Sequence, residues 1–147
     1  MRIVPLERLK HLEFLQSAIA RQSNTSFVIK GWSLTIVSAF FGFSVAQRSV
    51  GLSLVVYLPV LGFAWLDAYF VKQERLFRHL YEAAIAPKTS IPIFAMDTRE
   101  FEAEDRVRWG AVVQSVPFWV FHGTILSAAV LTSVGLAITA VIEGHGQ

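Results

Sequence analysis

VGLSLVVYLPVLGFAWLDAYFVKQERLFRHLYEAAIA, residues 50–86, decides the fold. From Val50 to Leu66 the run carries no ionisable side chain apart from the tyrosine hydroxyl of Tyr57; Asp67 interrupts it, and Lys72, Glu74, Arg75 and Arg78 then follow in quick succession. Crossing about 30 Å of hydrocarbon takes about 20 apolar residues in a helix, so residues 50–71 read as a transmembrane helix. No Gly or Pro lies between Ala64 and Ala86, and the helix is expected to continue through 72–86. At about 1.5 Å per residue that extension would reach roughly 20 Å into the cytosol.

Composition agrees with a membrane protein. Of 147 residues, 54% are apolar and 16% charged, and a soluble domain this small could not bury so much apolar surface. A net charge of +2 gives no general reason to expect nucleic-acid binding. The absence of cysteine excludes disulfides, thiolate metal sites and a cysteine nucleophile. The N-terminal MRIVPLERLKHLEFLQ is charged throughout, unlike a secretory signal.

Outward from the central stretch, residues 5–23 have helical periodicity, with Leu9, Leu12, Leu15 or Gln16, and Ile19 near one face. Such a helix suits either the membrane surface or a cytosolic bundle, and its mixed charges favour the bundle. Asn24-Thr25-Ser26 reads as a break and helix cap. A first transmembrane helix follows over 27–46, with Lys30 near its start and Trp32 at the place of an interfacial aromatic. Ser38, Gly42 and Ala46 recur every fourth residue, a small-residue pattern that permits close helix approach. The short connection Gln47-Arg48-Ser49 makes the second helix antiparallel to the first, and Pro59 is expected to bend it. Residues 87–97 are a loop. A cytosolic helix is expected over 98–116, capped by Asp97 or Thr98 and started by Glu100, Glu102 and Glu104. A third transmembrane helix spans 118–142, opened by Phe118, Trp119 and Phe121. The predicted fold is therefore all-α: three transmembrane helices and a cytosolic helical layer in one membrane domain. Twelve of the thirteen Lys and Arg residues lie before residue 31 or within 72–108, and the other is Arg48. The positive-inside rule puts the N-terminus in the cytoplasm and the C-terminus outside.

Four groups of side chains are candidates for function. Lys30, Asp67 and His122 each lie near the same predicted boundary on a different span. Ionisable groups there are costly and look for partners, so they form an ion cluster locking the helices, a gate or proton relay at an inner pore mouth, or three snorkelling side chains. Thr124, Ala128, Thr132, Gly135 and Thr139 fall within about 80° of arc. That small, weakly polar row either lines a water-filled path between several copies or packs helices together. Lys72, Arg75 and His79, with Arg78 paired to Glu74, could bind phosphate of lipid or of a nucleotide, or simply be positive-inside flanking charge. The acidic run Glu100, Glu102, Glu104 and Asp105 reads as a solvated helix start. Glu143 and His145 are too few for a metal site, and no catalytic or cofactor motif is present.

Two stretches, NTSFVIKGWSLTIV at 24–37 and WLDAYFVKQERLFRHLYEAA at 65–84, carry a resemblance. Asn24, Ser26, Phe27, Lys30, Gly31, Trp32, Trp65, Asp67, Tyr69, Glu74, Arg75, Arg78 and Tyr81 match the N-S-F-x-x-K-G-W-like and W-x-L-D-x-Y…E-R-like motifs of small bacterial inner-membrane proteins. Thr25 is an insertion relative to that pattern, and Trp65-Leu66-Asp67 is tighter than it. The group resembles the membrane effectors of anti-phage loci of the Hailong type, encoded beside a nucleotidyltransferase. The resemblance covers about a quarter of the chain. It implies a homo-oligomeric channel controlled by a nucleotide or oligonucleotide ligand. The alternative expectation is a non-conducting anchor that recruits a soluble partner.

Overall fold

The structure, a computed structural model, describes residues 5–86 and 89–145. Pro87 and Lys88 of the expected loop, Arg2, and the last two residues of the tail lie outside that range. Helix α1 spans Leu6–Ala46, α2 Val50–Val55 and α3 Tyr57–Ile85. A single 3-10 turn follows at Arg99–Phe101, then α4 (Trp109–Val113), α5 (Val116–Phe118), a π-helical turn (Trp119–Gly123) and α6 (Thr124–His145). The described residues contain no strand. Three helical stretches, Leu6–Ala46, Val50–Ile85 and Val116–His145, are long and apolar enough to cross a membrane, and the protein is an all-α membrane protein.

The chain forms two compact units. Residues 1–27 and 68–113 make the first; residues 28–67 and 114–147 make the membrane unit. The first is built on Leu15, Leu76, Leu80, Ala84, Phe101 and Val107, with Leu12, Phe77, Tyr81 and Ile91 packed around them. The membrane unit is built on Val37, Val56, Val60 and Ile125, flanked by Phe40, Phe41, Phe121 and Leu126.

The expected break at Asn24-Thr25-Ser26 is absent, and α1 runs through it. Thr25 does not cap a new helix: its hydroxyl donates to the Arg21 carbonyl at 2.8 Å, one turn back in the same helix. The inward stripe of α1 also differs from the leucine face read from sequence. It is His11, Leu15, Ala18 and Ser26 in the first unit and Ile29, Ser33, Val37 and Ser44 in the membrane unit. Polar residues hold half of these places, whereas Leu9 is exposed. In the first unit α1 is packed into a core, and it also ties down the following loop. Arg8 donates to the carbonyls of Ala84 (2.8 Å) and Ile91 (3.0 Å), and His11 Nε2 lies 2.9 Å from the Ala95 carbonyl.

α1 ends in a left-handed turn at Arg48 (φ 46°). Ser49 N–H donates to Ser44 O and Arg48 N–H to Val45 O, which closes the helix end without a glycine. Ser49 then caps α2 by accepting from Leu52 N–H. Arg48 also pairs with Glu143 at 2.8 Å, both largely exposed. Such exposed pairs contribute little, so Glu143→Gln should lower stability by less than about 1 kcal/mol in a denaturant titration; a larger loss would mean the pair is shielded from solvent. The second span is interrupted at Val56, between α2 and α3. Pro59 has no N–H for the Val55 carbonyl four residues back, so the ladder is lost there and resumes with Val60 N–H to Val56 O at 3.3 Å.

The helix expected over 98–116 is replaced by a 3-10 turn and further turns up to Arg108, followed by the short helix α4. Phe101 and Val107 are both buried in the first unit's core. Six residues apart, they would lie about 120° apart on a regular helix, at the two edges of its inward face, whereas the turns bring both into the core. Asp97, expected as a cap, accepts from Arg99 N–H at 3.0 Å across a tight turn, and Thr98 makes no side-chain cap bond.

Candidate functional site

Inside the membrane unit, Lys30, Asp67 and His122 come together from α1, α3 and the π-helical turn. Lys30 Nζ lies 2.5 Å from Asp67 Oδ1, and His122 Nε2 lies 2.9 Å from Asp67 Oδ2. Each carboxylate oxygen thus has its own partner. Asp67 is 1% exposed and His122 5%, while the Lys30 side chain keeps 25%. The sequence reason is positional: each span carries one Lys, Asp or His, a few residues from the same predicted boundary.

The imidazole of the cluster lies against two aromatic rings. The Phe118 and Phe121 rings lie 4.7 and 5.0 Å from the His122 ring, centroid to centroid. Asp67 and His122 are buried and have lost most of their hydration, so removing a partner from either is costly. With Asp67 Oδ2 as acceptor, His122 Nε2 carries the hydrogen of that contact. Its Nδ1 is buried without a partner among the described residues. The π-helical turn that sets this ring has no signature in the sequence. Gly123 permits it: a Cβ there would meet the Trp119 ring at 3.2 Å. Such turns are frequent at functional sites. Chemically the cluster can tie three spans together, and one further proton taken up from outside it would have either the imidazole or the carboxylate as acceptor. Among the described residues no group of three or more His, Cys, Asp or Glu is arranged to hold a metal ion.

The row on α6 faces away from the chain's own core. Thr124, Ala128, Gly135 and Thr139 are exposed and Thr132 is half-buried; Ile125, Ala129 and Ser133 take the inward face. The hydroxyls of Thr124, Thr132 and Thr139 donate to carbonyls of their own helical turns at 2.6, 2.9 and 2.9 Å. On α1, Ser38, Gly42 and Ala46 are likewise exposed, so neither small-residue row is used for packing within one chain.

In the first unit Arg75, Arg78 and His79 do converge, on an open cleft of about 360 Å³ completed by Glu82, Arg106 and Ala111. Lys72 is not part of its lining; its ammonium sits 5.2 Å from the centroid of the Trp109 ring. Arg106 was legible in the sequence only as one charge among many, because nothing in its spacing foretells the turns that bring it opposite α3. Arg78 is held by Glu74 at 2.6 Å, and His79 Nδ1 lies 2.8 Å from Glu104 Oε2. Glu104, expected as part of a solvated helix start, therefore has a partner. Asp105 pairs only at 3.4 Å with Arg108. Comparisons with family models, with characterised proteins and with solved structures give no match to this chain.

Proposed function

We propose that this membrane protein is a homo-oligomeric, non-enzymatic ion pore of the bacterial inner membrane. In this reading the first unit faces the cytoplasm, where a ligand or soluble partner controls the pore, and the C-terminus lies outside. The observation that carries the reading is the outward face of α6. Four of the five residues in a row of small, weakly polar side chains stay exposed on their own subunit, and one chain with three spans cannot enclose a channel. Copies arranged with these rows together would surround a narrow, wettable path, with the Lys30–Asp67–His122 cluster setting how the spans of each copy are held. Opening would dissipate the membrane potential and arrest growth, in keeping with the resemblance to anti-phage effectors, whose nucleotidyltransferase product would be the ligand.

Gly135 gives the test, since a Cβ there meets nothing within 4 Å in a single chain. Gly135→Phe should leave the subunit folded and abolish ion flux from liposomes, down to the level of protein-free vesicles. Wild-type protein that passes no ions under any ligand condition, or a variant that conducts as well as wild type, would sink the pore. The second reading, a non-conducting anchor, is favoured by the separate core of the first unit. Stoichiometric capture of a soluble partner, without conductance, would select it.

A further inference from the structure

The cleft in the first unit has a composition that points to one kind of ligand. Its α3 wall carries Arg75, Arg78, His79 and Glu82, a three-and-four spacing that puts all four on one helical face. Arg106 and Ala111 form the opposite wall. Three guanidinium groups thus meet one lining carboxylate. Nearby cations are already occupied: Lys72 lies over Trp109 and Arg108 faces Asp105. Arg75 donates to the Arg106 carbonyl at 3.0 Å, which fixes the far wall against the near one. The Arg106 guanidinium itself makes no hydrogen bond or ion pair with any described residue. An exposed, unspent guanidinium beside two anchored ones is suited to forked hydrogen bonding with an oxyanion.

His79 narrows the class of oxyanion. Its Nδ1 is 2.8 Å from Glu104 Oε2, and an ionised carboxylate only accepts, so Nδ1 carries the proton of the neutral ring. His79 lines the cleft, and with Nδ1 turned to Glu104 its Nε2 is the nitrogen left to offer a lone pair. A sulfate ester has no proton to give that lone pair at neutral pH. A phosphomonoester has its second ionisation near pH 6, and its monoanion brings an O–H with it. The same total proton count is reached by an imidazolium facing a phosphate dianion.

We propose that this cleft is a phosphomonoester site in which Arg75, Arg78 and Arg106 hold the oxyanion and His79, oriented by Glu104, selects phosphate over sulfate. A cavity of about 360 Å³ is near the lower end of small-molecule sites, the size of one phosphorylated head group. Two sources offer that chemistry: a soluble phosphate ester, or a lipid such as phosphatidic acid. The inference rests on the reading of the first unit as the ligand-receiving part of the protein.

The test uses the full chain in detergent micelles, with phenyl phosphate and phenyl sulfate as matched probes in calorimetric titrations. Phenyl phosphate should bind more tightly than phenyl sulfate at neutral pH. Arg106→Gln should weaken phosphate binding, and His79→Gln should remove the preference for phosphate while leaving some binding. Arg106 is exposed, so its variant carries little risk to folding. A second arm uses nanodiscs holding phosphatidic acid or phosphatidylcholine. Binding of phenyl phosphate assigns a soluble source, and selective retention of phosphatidic acid alone, lost in Arg106→Gln, assigns a lipid. Equal binding of the two esters, indifference to Arg106→Gln, or no binding in either arm overturns the site. Because binding is read without conductance, liposome flux that persists in the absence of any binding would leave the pore reading standing and remove only this inference.

Discussion

Asp67→Leu alone is expected to destabilise the protein by about 3 kcal/mol, since it leaves the Lys30 ammonium in the membrane unit without its carboxylate. The lower end of the range for a broken buried pair applies, because Lys30 keeps a quarter of its exposure and with it part of its hydration. Lys30→Met should cost more, about 5 kcal/mol, as Asp67 is 1% exposed and would keep only the imidazole as its near counter-group among these three residues. The double variant Lys30→Met/Asp67→Leu should recover the part of the loss that comes from an unpaired charge and keep about 1–3 kcal/mol of it, because the buried Nε2 of His122 loses its acceptor with Asp67. Unfolding of each variant in micelles, followed by denaturant titration, measures the cycle. Additive losses in the double variant would show that the two side chains do not depend on each other.

Leu80→Ala should have a comparable effect in the other unit. Leu80 is 1% exposed and sits in a core with Leu15, Leu76, Ala84, Phe101 and Val107. Removing its isobutyl branch leaves a cavity among side chains fixed by α1, α3 and the turns after Arg99, at a cost of about 3 kcal/mol. The core belongs to one unit, so the loss should be local. Amide hydrogen exchange should speed up over residues 10–18, 72–86 and 99–108 and stay unchanged from Val116 to Ala140. Acceleration spread evenly over both regions would mean that the two units unfold together.

Much of this was legible in the sequence because lipid imposes a simple rule: an apolar run of sufficient length is a helix that crosses. The runs at 27–46, 50–71 and 118–142 needed nothing more. Lys30, Asp67 and His122 stood out for the same reason, each being an ionisable residue where such residues are expensive. What stayed hidden depended on packing. Asn24-Thr25-Ser26 has the composition of a break, yet Thr25 can satisfy its hydroxyl inside a helix and Ser26 can be buried on its inner face, so composition alone could not show that α1 continues. The acidic start at Glu100 suggested a helix through 116, whereas the chain makes turns up to Arg108 that carry Phe101 and Val107 into the core before α4 begins. Arg106 joined the cleft as a consequence of those same turns. The π-helical turn at Trp119–Gly123 reflects how His122 meets Asp67, a tertiary demand with no local residue pattern.

The membrane reading has its most direct test in the side of the bilayer reached by each end of the third span. The natural chain has no cysteine, so single-cysteine variants give an unambiguous signal. Glu100→Cys and Gly144→Cys, both at exposed positions, would be treated in intact cells with a membrane-impermeant maleimide. Gly144→Cys should be labelled at once and Glu100→Cys only after the membrane is permeabilised. Equal labelling of both before permeabilisation, or of neither, would contradict a single crossing between those two positions.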